Sequence, residues 1–192
     1  MLNYILDNDF FMQSERLTFS CFKETDCDDM FAIQSNPEMV KYTPDEPWKS
    51  KDDWNTFWRF ASCFYGENKN RPEWFRYFFA IREKTHGKVI GFCGLGAPEY
   101  DRCVTEVFYS ISPDKWNLGY ATEAAKSMLH FGFHELDLAE IVGFREEGNP
   151  ASGRVLEKAG LKRVGQLANL NPKFSYFEGE PLYKILADEY MK

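Results

Sequence analysis

No apolar run in this 192-residue chain approaches the ~18 residues of a membrane span, so no membrane-spanning helix is expected. Its first ten residues do not pass from basic to apolar to small, and no secretory signal is expected. The five cysteines (Cys21, Cys27, Cys63, Cys93, Cys103) are odd in number and include no Cys-x-x-Cys pair. That argues against a disulfide framework or a zinc site and fits a reducing cytoplasm. The three histidines include His130 and His134, four apart, but no H-E-x-x-H pattern, so no metal is expected. Positive charge is also short: 23 Lys and Arg against 30 Asp and Glu leave a net charge of −7. Nucleic acid, whose affinity comes from phosphate neutralisation, is therefore not an expected partner. A cationic partner such as an amine suits that charge, and solubility alone would also account for it. Repeats, low-complexity stretches and linkers are missing as well, so one domain spanning residues 1–192 is expected.

What the chain does have is aromatic residues, at 17% and concentrated at residues 54–64 and 74–79, which points to an aromatic wall in the first half. Alternating apolar residues predict strands at 15–23, 75–82, 88–95, 103–111, 141–145, 161–165 and 182–187. Helical spacing predicts helices at 28–34, 50–64, 121–136 and 152–159, the last stopped by Gly160 in a left-handed conformation. Residues 66–72 read as a polar loop. The order is strand, two helices, three strands, helix, strand, helix, two strands. The expected fold class is α/β: a mixed, mostly antiparallel twisted sheet of about six or seven strands flanked by about four helices.

Two segments carry the chemistry. In the first, Trp116, Asn117, Leu118, Gly119, Tyr120, Ala121 and Thr122 form a turn that opens into the strongest helix. Gly119 permits a positive φ and close ligand approach. Such a turn aims backbone N–H groups at one point, at the positive end of the helix dipole, and can cradle a diphosphate without a charged side chain. In the second, Asn149 is a good N-cap, Pro150 a good first-turn residue, and Ser152, Arg154 and Lys158 make the helix face polar. With the strand at Glu106, Phe108, Tyr109, Ser110 and Ile111 between the prolonged loops, these segments resemble the GCN5-related N-acetyltransferases, in particular their ribosomal-protein-alanine N-acetyltransferase-like branch. Gly119, Tyr120 and Ala121 match the second half of the family's Q/R-x-x-G-x-G/A pattern, with Trp116 at the first position. Asn149, Ser152, Val155, Lys158 and Gly160 match N-x-x-[AS]-x-x-h-Y-x-K-x-G-F, with Leu161 in place of Phe. The resemblance covers nearly the whole chain.

The resemblance implies acetyl-coenzyme A as cosubstrate and no metal. It implies that backbone N–H groups from Asn117 to Thr122 bind the pyrophosphate, with Trp116 in the same turn. It also implies that the strand carrying Phe108, Tyr109, Ser110 and Ile111 splays from its neighbour to receive the pantetheine. Pro113, which has no N–H, suits a strand that stops pairing. Asn149 would contact pantetheine or order a water, and Arg154 would reach a phosphate of the coenzyme. Both bases on this helix read equally as a solvated face. Glu106 falls where the branch often places a carboxylate beside the amine; it reads as the base, as a solvated strand residue or as a member of an ion pair. Leu156 departs from the family, many of whose members have a tyrosine there to protonate the leaving thiolate. Ser152 is then the hydrogen-bond donor to the sulfur.

The expected activity is transfer of acetyl from acetyl-coenzyme A to a primary amine by direct attack in a ternary complex. The acceptor is a protein N-terminus or a small molecule, met by a monomer or homodimer. Its pocket is expected from residues 31–58 and 166–181. Leu156 keeps a catalytically silent acyl-coenzyme A sensor in play as an alternative, and a structural protein using its aromatic segment is a third reading.

Overall fold

The computed structural model describes residues 11–67 and 76–192. One eight-stranded sheet runs in the order β1-β2-β3-β4-β5-β6-β8-β7. Its strands are β1 (Phe11–Gln13), β2 (Leu17–Ser20), β3 (Arg76–Glu83), β4 (Val89–Gly96), β5 (Glu106–Ile111), β6 (Glu140–Phe144), β7 (Lys162–Gln166) and β8 (Pro181–Leu186). All neighbours are antiparallel except β5 and β6, which are parallel. The helices are α1 (Cys27–Gln34), α2 (Lys51–Glu67), α3 (Tyr120–His134), α4 (Pro150–Ala159) and the single-turn α5 (Ala187–Tyr190).

The α/β class and the order of elements agree with expectation, with one strand more. The expected strand over 15–23 is a hairpin arm of four residues, and the extra strand β1 pairs with it, Met12 opposite Phe19. Three residues are too few to show alternation, so only pairing reveals β1. Strand β5 starts at Glu106 rather than 103, after a turn in which Cys103 N–H bonds to Asp101. Helix α2 continues to Glu67, past the start of the expected loop, whose residues 68–72 lie outside the described residues together with Trp74 and Phe75.

Strands β3 and β4 are buried on both faces because helices cover each side. Odd-numbered Tyr77, Phe79 and Ile81 join Met128, Leu129 and Phe131 of α3 in one core. Even-numbered Phe78 and Ala80 join Trp54 and Ala61 of α2 and Met30 and Ile33 of α1 in the other. This is the period of two that a strand imposes on its side chains. The aromatic wall expected from composition is real on this second face: Phe57 lies 5.2–6.1 Å from Phe22, Trp48, Trp54, Phe78 and Phe92.

Helix α3 lies close to the sheet through Gly132. A Cβ there would stand 2.6 Å from Ile141 Cδ1 and 3.0 Å from Leu95 Cδ1. Gly132→Ala is expected to lower unfolding free energy by about 1–3 kcal/mol through overpacking. Urea denaturation checks it, and an unchanged midpoint would show that the two side chains can retreat. Helix α4 is bounded as its sequence requires. Asn149 Oδ1 accepts the Ser152 N–H at 3.1 Å, and Gly160, at φ 114°, returns its N–H to Leu156 and Glu157.

Candidate active site

Strand β5 is fully paired on one side and almost unpaired on the other. Six consecutive residues register with β4, from Glu106 opposite Gly96 to Ile111 opposite Gly91. Toward β6 the register holds only at Glu106 and Val142. Alternation decides which backbone groups face the gap. The Ser112 N–H bonds to Ile90 C=O at 2.8 Å, so even-numbered residues turn their backbone to β4. Thr105 C=O accepts the Val142 N–H at 2.8 Å, so odd-numbered residues turn toward β6. Beyond Glu106 the two strands part, and the backbone of Tyr109 and the N–H of Ile111 look into the opening. The open edge thus falls on the odd members of the predicted stretch 108–111, Tyr109 and Ile111. Phe108 and Ser110 face β4 with their backbone.

Chain leaving β5 makes a 3-10 turn at Pro113–Lys115 and then reaches α3. Asn117 (φ 61°) and Gly119 (φ 84°) are both left-handed, and Gly119 is the N-cap of α3. The first helical bond is Glu123 N–H to Gly119 C=O at 3.0 Å. The N–H groups of Tyr120, Ala121 and Thr122 come before it and carry the positive end of the helix dipole. Trp116 is different. Its backbone N–H bonds to Pro113 C=O at 3.2 Å and its indole N–H to Ile111 C=O at 2.6 Å. Both donors of Trp116 are engaged within the protein, so it fastens the turn to the end of β5 and offers the ligand no N–H. Leu118 projects outward, 52% exposed, with its carbonyl held by Arg16 Nη1 at 2.8 Å.

Glu106 is buried, with 8% of its surface exposed. It has the strand parity of Phe108, which packs against the aromatic face under α2. Burial pushes its carboxyl up from the ordinary 4.5 to about 8, and the positive charge of Arg76 pulls the other way. The Arg76 guanidinium lies 5.4 Å from the rings of both Phe78 and Phe108. Tyr100 completes this corner. Burial first, then the charges of Glu106 and Asp101, push its phenol upward, and its ring packs edge-on to Phe144 and Phe177.

Ser152, in the first turn of α4, meets β5 through Tyr109. The Tyr109 hydroxyl donates to Ser152 C=O at 3.0 Å and lies 3.1 Å from Ser152 Oγ. Burial raises the Tyr109 phenol, its bond to Ser152 opposes that, and Glu106 and Tyr183 add to it. The phenol therefore stays protonated and acts as a fixed donor. Asn149 is occupied as the cap of α4 through its Oδ1. Arg154 is exposed on α4 and Lys158 likewise. Leu156 is 1% exposed, and a Cβ on Gly143 would meet it at 2.7 Å, so it belongs to the core between α4 and β6. His130 and His134 lie with ring centres 4.4 Å apart, tilted by 44°, on the exposed side of α3.

Sequence reasoning missed three contributors. Tyr109 was singled out for its backbone, not its hydroxyl. Glu83 and Arg16 were not singled out at all. Each acts across a long separation in sequence, and no local pattern marks any of them.

The fold that holds this opening is shared with known proteins. The acetyltransferase (GNAT) domain model matches residues 16–162, and the chain belongs to that family. It is an acetyl-coenzyme A-dependent N-acetyltransferase. The uncharacterized N-acetyltransferase YnaD of Bacillus subtilis is 27% identical over 178 residues, covering 92% of this chain and 97% of that protein. A GNAT-family acetyltransferase structure from Bacillus anthracis superposes with TM-score 0.73 at 26% identity, over 93% of this chain and 99% of the other. The structure of spermidine N-acetyltransferase from Vibrio cholerae in complex with coenzyme A and spermine shares the fold at TM-score 0.68 and 20% identity, over 93% and 100% of the two chains.

Proposed function

We propose that the chain is a single acetyltransferase domain that moves acetyl from acetyl-coenzyme A to a primary amine by direct attack in a ternary complex. The observation that carries this reading is the opening between β5 and β6, reached through the Gly119 turn. Backbone N–H groups of residues 117–122 take the diphosphate, and the backbone of Tyr109 and the N–H of Ile111 meet the pantetheine amides and, near Ile111, polarise the thioester carbonyl. Arg154 reaches toward a phosphate of the coenzyme.

The acceptor enters on the Glu106 side. An alkyl ammonium, with pKa near ~10, must lose a proton before it attacks. Glu106 takes that proton directly or through one water. An ammonium arriving beside it favours the ionised carboxylate and offsets the effect of burial. Nitrogen then bonds to the thioester carbon, the carbon–sulfur bond breaks, and the second proton shed by the nitrogen passes, directly or through water, to the departing sulfur to give the free thiol. Ser152 Oγ donates a hydrogen bond to the departing thiolate while the Tyr109 hydroxyl fixes its position. Ser152 need not be an acid, because a thiolate with pKa near ~8.5 leaves with little help. The acceptor class is a protein N-terminus or a small cationic amine, the latter favoured by the net charge of −7.

A panel of amines and N-terminal peptides, with free thiol release from acetyl-coenzyme A measured, tests the reading. Coenzyme binding without release on any acceptor would instead support the silent sensor. Ser152→Ala is expected to reduce kcat about tenfold at most, the scale of one neutral hydrogen bond. Tyr176→Phe and Tyr183→Phe should change it little. Tyr176 is half exposed, and Tyr183 Oη, although near the first turn of α4, is engaged as the acceptor from Arg145 Nε at 3.3 Å. A larger loss in either tyrosine variant would move the donor to the late strands.

A further inference from the structure

The diphosphate turn is built almost entirely from backbone, yet its neighbours are tied to a single carboxylate. Glu83 closes β3, opposite Leu17 of β2. Its Oε1 accepts the Tyr120 hydroxyl at 2.6 Å, and its Oε2 accepts Lys115 Nζ at 2.9 Å. Lys115 immediately precedes the turn and Tyr120 is the first residue of α3. One side chain, 13% exposed, therefore holds both ends of the segment 116–119. The Tyr120 bond, then Lys115, keeps the Glu83 carboxyl down at about 2; His86 Nδ1 lies 3.4 Å from Oε2.

A second brace comes from the bend just before β2. The Arg16 guanidinium lies 4.5 Å from the Tyr120 ring centre, donates to Leu118 C=O, and bonds Glu123 Oε2 at 2.7 Å. Glu123 Oε1 in turn accepts the Arg16 N–H and the Ser14 hydroxyl, both at 2.7 Å. The turn needs such support. Asn117 sits in a left-handed conformation that a non-glycine residue adopts at a cost, and Leu118 is exposed. An anion site made of N–H groups binds well only if those groups already point inward, because ordering them on binding subtracts from affinity.

We propose that Glu83 is a positioning residue for coenzyme binding: through Tyr120 and Lys115 it holds the Gly119 turn in its ligand-receiving shape without touching the ligand. This rests on the assignment of that turn to the coenzyme diphosphate. Simple electrostatics predicts the opposite effect, since a negative charge near an anion site should weaken binding and its removal should strengthen it.

Calorimetric titration of coenzyme A into wild type, Glu83→Gln, Tyr120→Phe and the double variant separates the two. Tyr120→Phe removes one hydroxyl and no charge, so it keeps the test intact should Glu83→Gln fold poorly. Each single change is expected to raise Kd about tenfold, the order of one hydrogen bond to a charged group. The double variant should be about as weak as the weaker single, because both break one clamp. The acceptor KM at saturating acetyl-coenzyme A should not move. A Kd within twofold of wild type in Tyr120→Phe, or tighter binding in Glu83→Gln, overturns the inference while leaving the coenzyme assignment standing. Failure of the wild type to bind coenzyme A overturns that assignment, and this inference with it.

Discussion

Glu106→Gln is expected to lower kcat roughly 10²- to 10⁴-fold, the range for removal of a positioned general base, with coenzyme A affinity nearly unchanged. The reason is the base role proposed for Glu106, which sits on the aromatic face of β5 with its backbone turned to β4 and away from the opening proposed for the coenzyme. Its carboxyl, raised to about 8, also sets a pH dependence. The ionised form is the base, so wild-type kcat/KM for the acceptor should climb with pH through about 8, and that limb should vanish in the variant.

Stability should run the other way. Below pH 4.5 the carboxyl is protonated in both folded and unfolded chains. Between 4.5 and about 8 the unfolded chain releases a proton that the folded protein keeps, so the contribution of this group to stability declines as pH rises and levels off above 8. Glu106→Gln should therefore remove part of the loss of stability across that window while removing most of the activity. Denaturation midpoints and rates measured over the same pH series check both halves. A variant with wild-type rates at every pH would mean that the proton leaves by another route.

Gly119→Val is expected to weaken acetyl-coenzyme A binding roughly 10- to 100-fold, with the fold retained. At φ 84° a β-branched residue is strained, at about 1–3 kcal/mol or more, and relieving the strain by rotating the peptide would turn the N–H groups away from the ligand. The new Cβ would also stand 3.3 Å from Arg16 Nη2, pressing on the residue that holds Leu118. Gly119→Asn, which tolerates the left-handed region, should recover part of the affinity. Calorimetry with circular dichroism as the fold control decides it. Unchanged affinity in the valine variant would place the diphosphate elsewhere.

The sequence by itself determined the features that depend on near neighbours. Period-two runs marked the strands with a buried face, and period-3.6 runs marked α2 and α3. Asn149, Pro150 and Gly160 bounded α4, and Gly119 located the turn, because capping and left-handed conformation are properties of one or two residues. The family resemblance rested on those same local segments. Tertiary structure decided the rest. Strand β1 exists only as the partner of β2. Glu106 could be read in sequence as a base, a solvated strand residue or half of an ion pair, and only the packing of β5 decided that it is buried with a raised carboxyl. Ser152 was legible as a helix residue, but its fixation by Tyr109, 43 residues away, required β5 and α4 to meet. Arg16 and Glu123 are 107 residues apart, and Glu83 and Tyr120 are 37 apart. Such pairs are set by sheet register and helix packing, which the free energy of the whole chain selects and no local preference encodes.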